Sequence, residues 1–420
     1  MKVRSCQFAI LLILAACGHS SPTTARDASA ATGPANLAAS DRPFTTTAIA
    51  TFDNPWAMAF LPNRPFAVVT EQPGRMWWID VTTGRKVPIA GVPRVAYGGQ
   101  GGLLDVAVSP TFAQDGLVYL TYSEPSPNGG SGLALARARL LHTDGGTGLD
   151  QLQVLWRDPA GGEGGQFGGI IAFAPDGKSL FLTSGERQRF TPAQDPNQPL
   201  GKILHLTLDG KPAPGNPGEG RVGAGTVTIT DPPEDTEAAK HAQGRSVRWP
   251  GTNLTPAETW SSGHRNPYGL AFAPDGRLWE TEMGPRGGDE LNLIQPGKNY
   301  GWPLVSEGKN YNGVPIQPHS SRPDFVAPKL YWVPSISPSS LLIYSGNLFP
   351  QWKGDGLIGA LSGKALIRVR IRGETATAVE QWDMGQRVRF VGQGPDGAVY
   401  VLEDGSGARM LRLTPAQKRR

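Results

Sequence analysis

Residues 270–282, LAFAPDGRLWETE, contain an apolar run, a Pro-Asp-Gly turn and a second run that ends on an acidic residue. Pro, Asp and Gly suit the backbone angles of a tight β-turn, and the flanking Leu, Phe and Trp suit half-buried strands. This stretch therefore predicts a β-hairpin.

The pattern recurs five more times along the chain. The other copies are AMAFLPNRPFAVVTE (57–71), DVAVSPTFAQDGLVYLTYSE (105–124), IAFAPDGKSLFLTSGE (171–186), LLIYSGNLFPQWKGDGLIGAL (341–361) and RFVGQGPDGAVYVLE (389–403). A repeated hairpin is typical of architectures that place four-stranded sheets around an axis. The sequence therefore predicts an all-β fold, a six-bladed β-propeller.

A glutamate closes the second strand in five of the six hairpins, at Glu71, Glu124, Glu186, Glu282 and Glu403. Equivalent blades would bring these strand ends to one face of the ring, where polar chemistry is then expected. The alternative is that each glutamate only solvates the end of its strand.

Composition narrows the choice of fold and of partner. The chain has 55 glycines and 38 prolines among 420 residues, which is too many helix breakers for a helical protein. The formal net charge is +4, and the basic run is confined to Lys418-Arg419-Arg420. We therefore predict no nucleic-acid partner.

The N-terminus has the layout of a secretion signal, with Lys2 and Arg4 before a short apolar run and Leu14-Ala-Ala-Cys17 after it. Leu-Ala-Ala-Cys resembles a bacterial lipobox. We predict a lipoprotein signal peptide at 1–16, a lipid on Cys17 and a membrane attachment through that lipid alone. The expected location is the periplasm, at the outer membrane. The alternative is an ordinary cleavable signal.

The rest of the chain divides into a tether and one domain. Residues 17–45 are small and polar, which predicts a flexible tether. Residues 46–415 are predicted to form the propeller, with insertions at about 211–258 and 303–340 where the hairpin pattern is lost. Long insertions often form functional rims or lids. The histidines show no metal-ligand spacing.

The segment 261–303 contains the candidate chemistry. Arg265 and Asn266 are donors beside the turn-forming Pro267, which suits an anion or carbonyl clamp. Gly284 follows a predicted strand, where exposed backbone carbonyls could hold a hard cation. The alternative is a polar turn network between blades.

Three motifs in this segment carry a family resemblance. HRNPYGLAF (264–272), EMGPRGGDELN (282–292) and GKNYGWP (297–303) resemble the signature of the soluble pyrroloquinoline quinone (PQQ)-dependent aldose sugar dehydrogenases, the glucose/sorbosone dehydrogenase family. The resemblance extends over nearly all of residues 52–414. It implies a six-bladed propeller with the cofactor on the axis, and it implies Ca²⁺ as a second cofactor.

The resemblance also implies roles for single residues. Arg265, Asn266, Arg387 and Arg389 would bind the carboxylates and carbonyls of the quinone, with Tyr268 and Ser362 in the same site. The carbonyls of Gly284 and Pro285 would hold Ca²⁺, and Gln100 would border the sugar pocket. In the family reaction a base takes the proton of the C1 hydroxyl while hydride passes from C1 to the quinone, which gives a lactone. The external electron acceptor is not implied.

The chain departs from the family pattern at the base itself. Gln166, in Gln166-Phe167-Gly168-Gly169, occupies the position of the histidine that acts as the base. A glutamine amide cannot accept a proton near neutral pH. Ser362 replaces a cofactor-contacting lysine, and His205 and Met283 also differ from the pattern.

These observations leave three hypotheses. The first is PQQ- and Ca²⁺-dependent oxidation of an aldose or related polyol, in which Glu163, Glu186 or a water replaces the base beside Gln166. The second is a propeller that binds the quinone or a sugar without turnover. The third is a metal-dependent lactonase-like activity.

Overall fold

Antiparallel β-sheets make up almost the whole fold. The computed structural model describes residues 33–127, 129–159 and 161–417. Helices within this part of the chain are short: α1 (Phe112–Asp115), α2 (Thr236–His241), α3 (Thr255–Glu258) and three 3₁₀ turns, Thr191–Gln194, His319–Ser321 and Pro350–Trp352. The predicted all-β class is confirmed.

Strand β1 (Phe44–Phe52) is followed by the first two four-stranded units along the chain. Their strands are β2 (Pro55–Phe60), β3 (Phe66–Glu71), β4 (Arg75–Asp80), β5 (Lys86–Ala90), β6 (Leu103–Val108), β7 (Leu117–Pro125), β8 (Ser131–Thr143) and β9 (Gly146–Arg157). A short parallel pairing of β5 with β9 joins the two units into one eight-stranded sheet.

The third and fourth units follow, separated by a two-stranded hairpin. The strands are β10 (Gly168–Phe173), β11 (Ser179–Ser184), β12 (Lys202–Thr207), the hairpin β13 (Thr226–Thr230) and β14 (Gly244–Arg248), then β15 (Thr259–Ser262), β16 (Pro267–Phe272), β17 (Leu278–Glu282), β18 (Asp289–Ile294) and β19 (Leu330–Trp332). The sheet orders are β10-β11-β12-β15 and β16-β17-β18-β19.

The last two units complete the series. Their strands are β20 (Pro338–Ile343), β21 (Gly356–Ala360), β22 (Ala365–Arg372), β23 (Thr375–Asp383), β24 (Val388–Gln393), β25 (Val399–Glu403) and β26 (Ala408–Pro415). The final sheet has the order β1-β26-β25-β24, so that its outer strand comes from the N-terminal part of the chain.

The first strands of the six units contact one another in a closed cycle, β2–β6–β10–β16–β20–β24–β2. They line an axial cavity of about 140 Å³. The second strands lie between neighbouring sheets, and β17, β21 and β25 are buried over their whole length. Burial on both faces fits the apolar sequences of β21 (GLIGA) and of β25 up to Glu403, whereas β17 (LWETE) also buries two glutamates.

All six predicted hairpins are confirmed, because each one forms the first two strands of a unit. The insertion at 211–258 contains the β13–β14 hairpin and α2 outside the four-stranded units. The insertion predicted at 303–340 is wrong at its C-terminal part, where β19 and the start of β20 are regular members of two units. A short strand among prolines gives little period-2 signal.

The predicted tether, 17–45, also requires a correction at its end. Strand β1 begins at Phe44, and the preceding residues are bonded to the domain: Ala35 N–H donates to Tyr331 O and Ser40 N–H donates to Gln381 O. The predicted signal peptide and Cys17 lie outside the described residues. No helix in the described part of the chain is long and apolar enough to cross a bilayer.

Strand β1 completes the last sheet, and the contribution of its packing to stability can be predicted. Phe44 is buried and packs edge-on against Trp382, with ring centroids 5.3 Å apart, and against Trp352. Phe44→Ala should destabilise the fold by roughly 3–5 kcal/mol, because it removes a buried ring from the closing contact. Thr46→Ala, on the exposed side of β1, is the control. Denaturant unfolding compares the two variants, and equal losses would contradict the closing role of Phe44.

Candidate active site

Nearly all of the predicted site residues lie just before a first strand or just after a second strand. In an antiparallel ring these positions meet at one end, so that residues far apart in sequence become neighbours. Gln100, Gln166, Arg265, Asn266 and Arg387 precede β6, β10, β16 and β24; Tyr268 and Arg389 lie at the start of β16 and β24; Gly284, Pro285 and Ser362 follow β17 and β21.

Gln166 is buried between two charged side chains. Its amide nitrogen donates to Glu186 Oε1 and its amide oxygen accepts from Arg265 Nη2 at 2.7 Å, in the one amide orientation that gives both atoms a partner. The backbone φ of Gln166 is 56°, a left-handed value that is strained for a residue with a side chain. The amide therefore has a fixed orientation between a carboxylate and a guanidinium.

Gln100 is held against Gln166. The backbone N–H of Gln166 donates to Gln100 Oε1 at 2.8 Å, and the hydroxyl of Tyr268 donates to the same oxygen at 3.2 Å. Gln100, Gln166, Tyr268 and Arg265 are thus brought together as one network.

Glu186 lies behind Gln166 and is completely buried. Its Oε2 accepts from the Phe190 N–H, and its own N–H donates to Arg265 O at 2.9 Å. Burial raises the pKa of Glu186 to about 7, although the positive charge of Arg265 acts in the opposite direction. A carboxylic acid that titrates near neutral pH is suited to proton transfer.

Arg265 connects this network to the predicted metal position. Nη1 donates to Met283 O at 2.9 Å and to Gly284 O at 2.8 Å, and Nη2 also donates to the Tyr311 hydroxyl at 3.2 Å. Two buried atoms of the predicted clamp, Arg265 Nε and Asn266 Oδ1, have no hydrogen-bond partner. The site thus keeps a donor and an acceptor for a ligand.

Asp289 fixes the loop around Gly284. Its Oδ1 accepts from the Gly284 N–H at 2.9 Å, while its Oδ2 accepts from the Ser335 hydroxyl and from the N–H groups of Ile336 and Ser337. The hydroxyls of Ser337 and Ser362 lie 2.8 Å apart. Ser362 is therefore connected to the site by its hydrogen bond to Ser337 in this loop, and not by a bond to Arg265.

Arg387 and Arg389 share one carboxylate. Their Nε atoms donate to the two oxygens of Asp404, at 2.7 and 2.9 Å. Arg389 also lies over the Trp56 ring, 4.4 Å from its centroid, and Trp56 packs edge-on against Tyr268. These contacts connect both arginines to Tyr268 on the axial side of the ring.

Comparisons with known proteins identify the family of this chain. The family described as "Glucose / Sorbosone dehydrogenase" matches residues 52–228 and 249–412. The aldose sugar dehydrogenase YliI of Escherichia coli K12 is 37% identical over 372 residues, which cover 86% of this chain and 90% of that protein. The chain belongs to the glucose/sorbosone dehydrogenase family.

Two solved structures of related proteins have the same fold. The soluble aldose sugar dehydrogenase of Escherichia coli, in its apo form, gives a TM-score of 0.74 at 34% identity and covers 89% of this chain and 100% of that chain. The PQQ-bound aldose sugar dehydrogenase of Streptomyces coelicolor gives 0.65 at 27% identity and covers 88% and 98%.

This member of the glucose/sorbosone dehydrogenase family has a second group of possible metal ligands. His264, Glu280 and Glu282 are buried and offer ligand atoms that all lie within 4.8 Å of one another. Asn292 Nδ2 donates to Glu280, Glu282 and Glu290. Burial raises the pKa of Glu290 to about 8 and that of Glu280 well above its usual value. Histidine spacing gave no sign of this group, because both glutamates come from β17 and the histidine comes from the loop before β16.

The sequence pointed to the two insertions as a rim of the site but did not show that they contact each other. Asn310 and Asn312, from the loop that carries Tyr311, bond to Thr236 and Asp235 at the start of α2. The two insertions therefore meet and place the exposed Tyr311 beside Arg265. No periodic signal could have shown this contact between two irregular segments.

The five strand-end glutamates differ in role. Three of them form ion pairs with arginines: Glu71 with Arg75, Glu124 with Arg157 and Glu403 with Arg409. These three glutamates only bind arginines at the ends of their strands. Glu282 bonds to His264 and to the Arg265 N–H, and Glu186 alone among the five bonds to Gln166. Of the two interpretations of the strand-end glutamates, the one in which they take part in the chemistry of the site therefore applies to Glu186. Glu282 supports Arg265.

The raised pKa of Glu186 leads to a prediction about pH. The unfolded chain loses this proton near pH 4.5 and the folded chain near pH 7, so stability falls as the pH rises between these values. Glu186→Gln should reduce the loss in stability between about pH 5 and pH 8 by up to roughly 3 kcal/mol. Glu124→Gln is the control, and denaturant unfolding at both pH values is the measurement. An unchanged pH dependence in Glu186→Gln would contradict the assignment.

Proposed function

We propose that this protein is a six-bladed propeller that oxidises an aldose, or a related polyol, to its lactone with PQQ as hydride acceptor. The observation that carries the proposal is the network Gln100–Gln166–Glu186–Arg265 at the end of the ring where the family's site residues converge. Membership of this family, together with this network, supports catalytic oxidation over the two other hypotheses, binding without turnover and lactone hydrolysis.

The donor set fits the quinone. Three guanidiniums, those of Arg265, Arg387 and Arg389, lie at one end of the ring and suit a tricarboxylate. The unpaired Arg265 Nε and Asn266 Oδ1 are a donor and an acceptor that a bound group would satisfy. Tyr268 and Ser362 complete the predicted set. When bound, PQQ supplies the hydride acceptor, and the protein supplies binding, orientation and the proton acceptor.

Glu186 is the proposed base. Its pKa of about 7 allows it to take a hydroxyl proton near neutral pH, which the Gln166 amide cannot do. Gln166 covers Glu186, so the proposal requires the amide to turn aside when the substrate hydroxyl arrives. Gln100, whose oxygen is held by Gln166 and Tyr268, keeps its amide nitrogen as a donor for a sugar hydroxyl.

Reconstitution tests the function. Purified protein with PQQ and Ca²⁺ should reduce a dye in the presence of at least one aldose, and Glu186→Gln should lower kcat by about 10²-fold or more, because it removes the base. The rate of the wild-type protein should rise with pH through about 7, as Glu186 loses its proton. Gln166→His should raise kcat by restoring a titrating group at the same position.

Two further variants sharpen this test. Glu124→Gln changes the equivalent strand-end glutamate of the preceding unit and is the matched control. Glu163→Gln changes the exposed carboxylate on the loop before Gln166. A loss confined to Glu163→Gln would move the base to that loop, and no turnover on any aldose would contradict the proposed function.

Ca²⁺ is the proposed second cofactor. At its predicted position it would compete with a hydrogen bond from Arg265. The Gly284 carbonyl, a predicted ligand together with Pro285, already accepts from Arg265 Nη1. A guanidinium and a divalent cation on the same oxygen repel each other. Ca²⁺ binding there therefore favours a movement of Arg265 away from Gly284, toward the carboxylates that the quinone would supply.

This competition predicts coupling between the two cofactors. PQQ should strengthen Ca²⁺ binding, and Ca²⁺ should strengthen PQQ binding by the same factor, expected at roughly 5–150-fold. Calorimetric titration of each cofactor with and without the other measures the factor. Ca²⁺ affinity that is independent of PQQ and lost in Glu282→Gln would place the ion in the His264–Glu280–Glu282 group instead.

We also propose that the protein is exported to the periplasm and held at the outer membrane by a lipid on Cys17. The support is the signal-like N-terminus and its lipobox. Metabolic labelling with a fatty acid, compared with Cys17→Ser, tests the attachment.

A further inference from the structure

A cavity of about 230 Å³ lies on the outer side of the third unit, away from the axis. Its walls come from β15, from the insertion at 211–258 and from residues 297–298, which follow β18. None of its lining residues is a proposed quinone or Ca²⁺ ligand, and none lines the axial cavity. A ligand bound here would therefore occupy a site separate from the proposed reaction.

The insertion is fixed in place over this cavity. Asn216 is buried, and its Nδ2 donates to His205 O at 2.9 Å and to Ala257 O at 2.7 Å. Gly218 lies so close to Pro256 that a Cβ at position 218 would overlap Pro256 O. These contacts join both ends of the insertion to each other and to the third unit. The cavity therefore has a wall of defined shape and is not a gap under a loose loop.

Three cationic side chains line the cavity, and no Asp or Glu is among its lining residues. Arg221 and Lys298 are exposed, and neither side chain has a hydrogen bond or an ion pair within the described part of the chain. Lys202 is buried, and its Nζ donates only to backbone carbonyls, at 2.8–3.0 Å. Burial lowers the pKa of Lys202 to about 7. A negatively charged ligand would stabilise the charged form of all three side chains.

Trp260 adds a buried donor and an aromatic wall. Its indole N–H has no hydrogen-bond partner among the described residues, and a bound acceptor would satisfy it. The ring packs edge-on against Phe181, with ring centroids 5.3 Å apart, which fixes its position. Pro196, Pro217 and Pro256 also line the cavity and add apolar surface.

These groups indicate the class of ligand. Arginine, lysine and an indole N–H are donors that suit the oxygens of a phosphate or a carboxylate. The tryptophan ring and the prolines suit an organic body attached to that anionic group. The volume is below the range of about 300–1,000 Å³ that is typical of sites for drug-sized ligands, so the ligand must be small.

We propose that this cavity binds a small organic anion. Its phosphate or carboxylate group is held by Arg221, Lys298 and the N–H of Trp260, and its body packs against the Trp260 ring and the prolines. The proposal goes beyond the proposed dehydrogenase function and does not depend on it, because the two sites have no residue in common.

Calorimetric titration with glucose 6-phosphate, gluconate and inorganic phosphate tests the site. At least one of the two organic anions should bind the wild-type protein, and more tightly than inorganic phosphate, which has no body to pack on Trp260. Arg221→Gln/Lys298→Gln should weaken this binding about tenfold or more, because the loss of a charge-assisted hydrogen bond lowers affinity by roughly that factor. Binding of glucose 6-phosphate alone would assign a phosphate ligand, and binding of gluconate alone a carboxylate ligand.

A matched double variant separates this cavity from other cationic sites. Arg64→Gln/Lys178→Gln removes the same charge from exposed positions outside the cavity and should leave the binding unchanged. The four side chains have no hydrogen bond or ion pair within the described residues, so both double variants should keep the thermal unfolding midpoint of the wild-type protein. Trp260→Phe, which keeps a ring and removes the N–H, should weaken binding several-fold.

Two results would overturn the proposal. The first is that none of the three anions binds. The second is that an anion binds the wild-type protein and Arg221→Gln/Lys298→Gln equally well, or is weakened equally by the two double variants, because binding would then occur at other cations or through net charge alone.

Discussion

Closure of the ring of first strands is the constraint on which the site depends. Six antiparallel units in a cycle force the beginnings of the first strands and the ends of the second strands to one end of the axis. Residues as distant in sequence as Gln100 and Tyr268 then become hydrogen-bond partners. Strand β1 completes this arrangement because it joins the N-terminal part of the chain to the last unit.

The closed ring concentrates charge at one end of the axis, and the structure balances that charge locally. Asp404 lies between Arg387 and Arg389, and Glu186 and Arg265 lie on either side of Gln166. Buried charges are costly unless they are paired and hydrogen-bonded, so each partner also holds the other's geometry. The pKa of Glu186 nevertheless stays raised, because burial outweighs the neighbouring cation.

The fold was predictable from the sequence because the repeated hairpins are local. Pro-Asp-Gly turns and the apolar residues on both sides of them specify two strands at a time. The third and fourth strands are short or irregular in places, and β19 was therefore assigned to an insertion. The parallel pairing of β5 with β9 left no local signal at all.

The sequence indicated which residues lie near one another and not which of them are in contact. The motifs around Arg265 named residues that the structure does bring together, but only coordinates show that Arg265 bonds to the Gly284 carbonyl or that Glu186 lies behind Gln166. Contacts of this kind depend on side-chain directions across separate units. The carboxylate group of Glu280, Glu282 and Glu290 was hidden for the same reason, because it requires the register of β17 against β18.

The family resemblance implies a histidine at the position of Gln166, and an amide can form the same number of hydrogen bonds there. A neutral imidazole has one donor and one acceptor, and the Gln166 amide likewise donates to Glu186 and accepts from Arg265. The Gln166 amide thus bonds to the carboxylate and to the guanidinium but cannot accept a proton near neutral pH. Its partner Glu186 is a carboxyl group whose burial brings its pKa to about 7. The group that titrates in this buried contact is therefore Glu186 and not the residue at position 166.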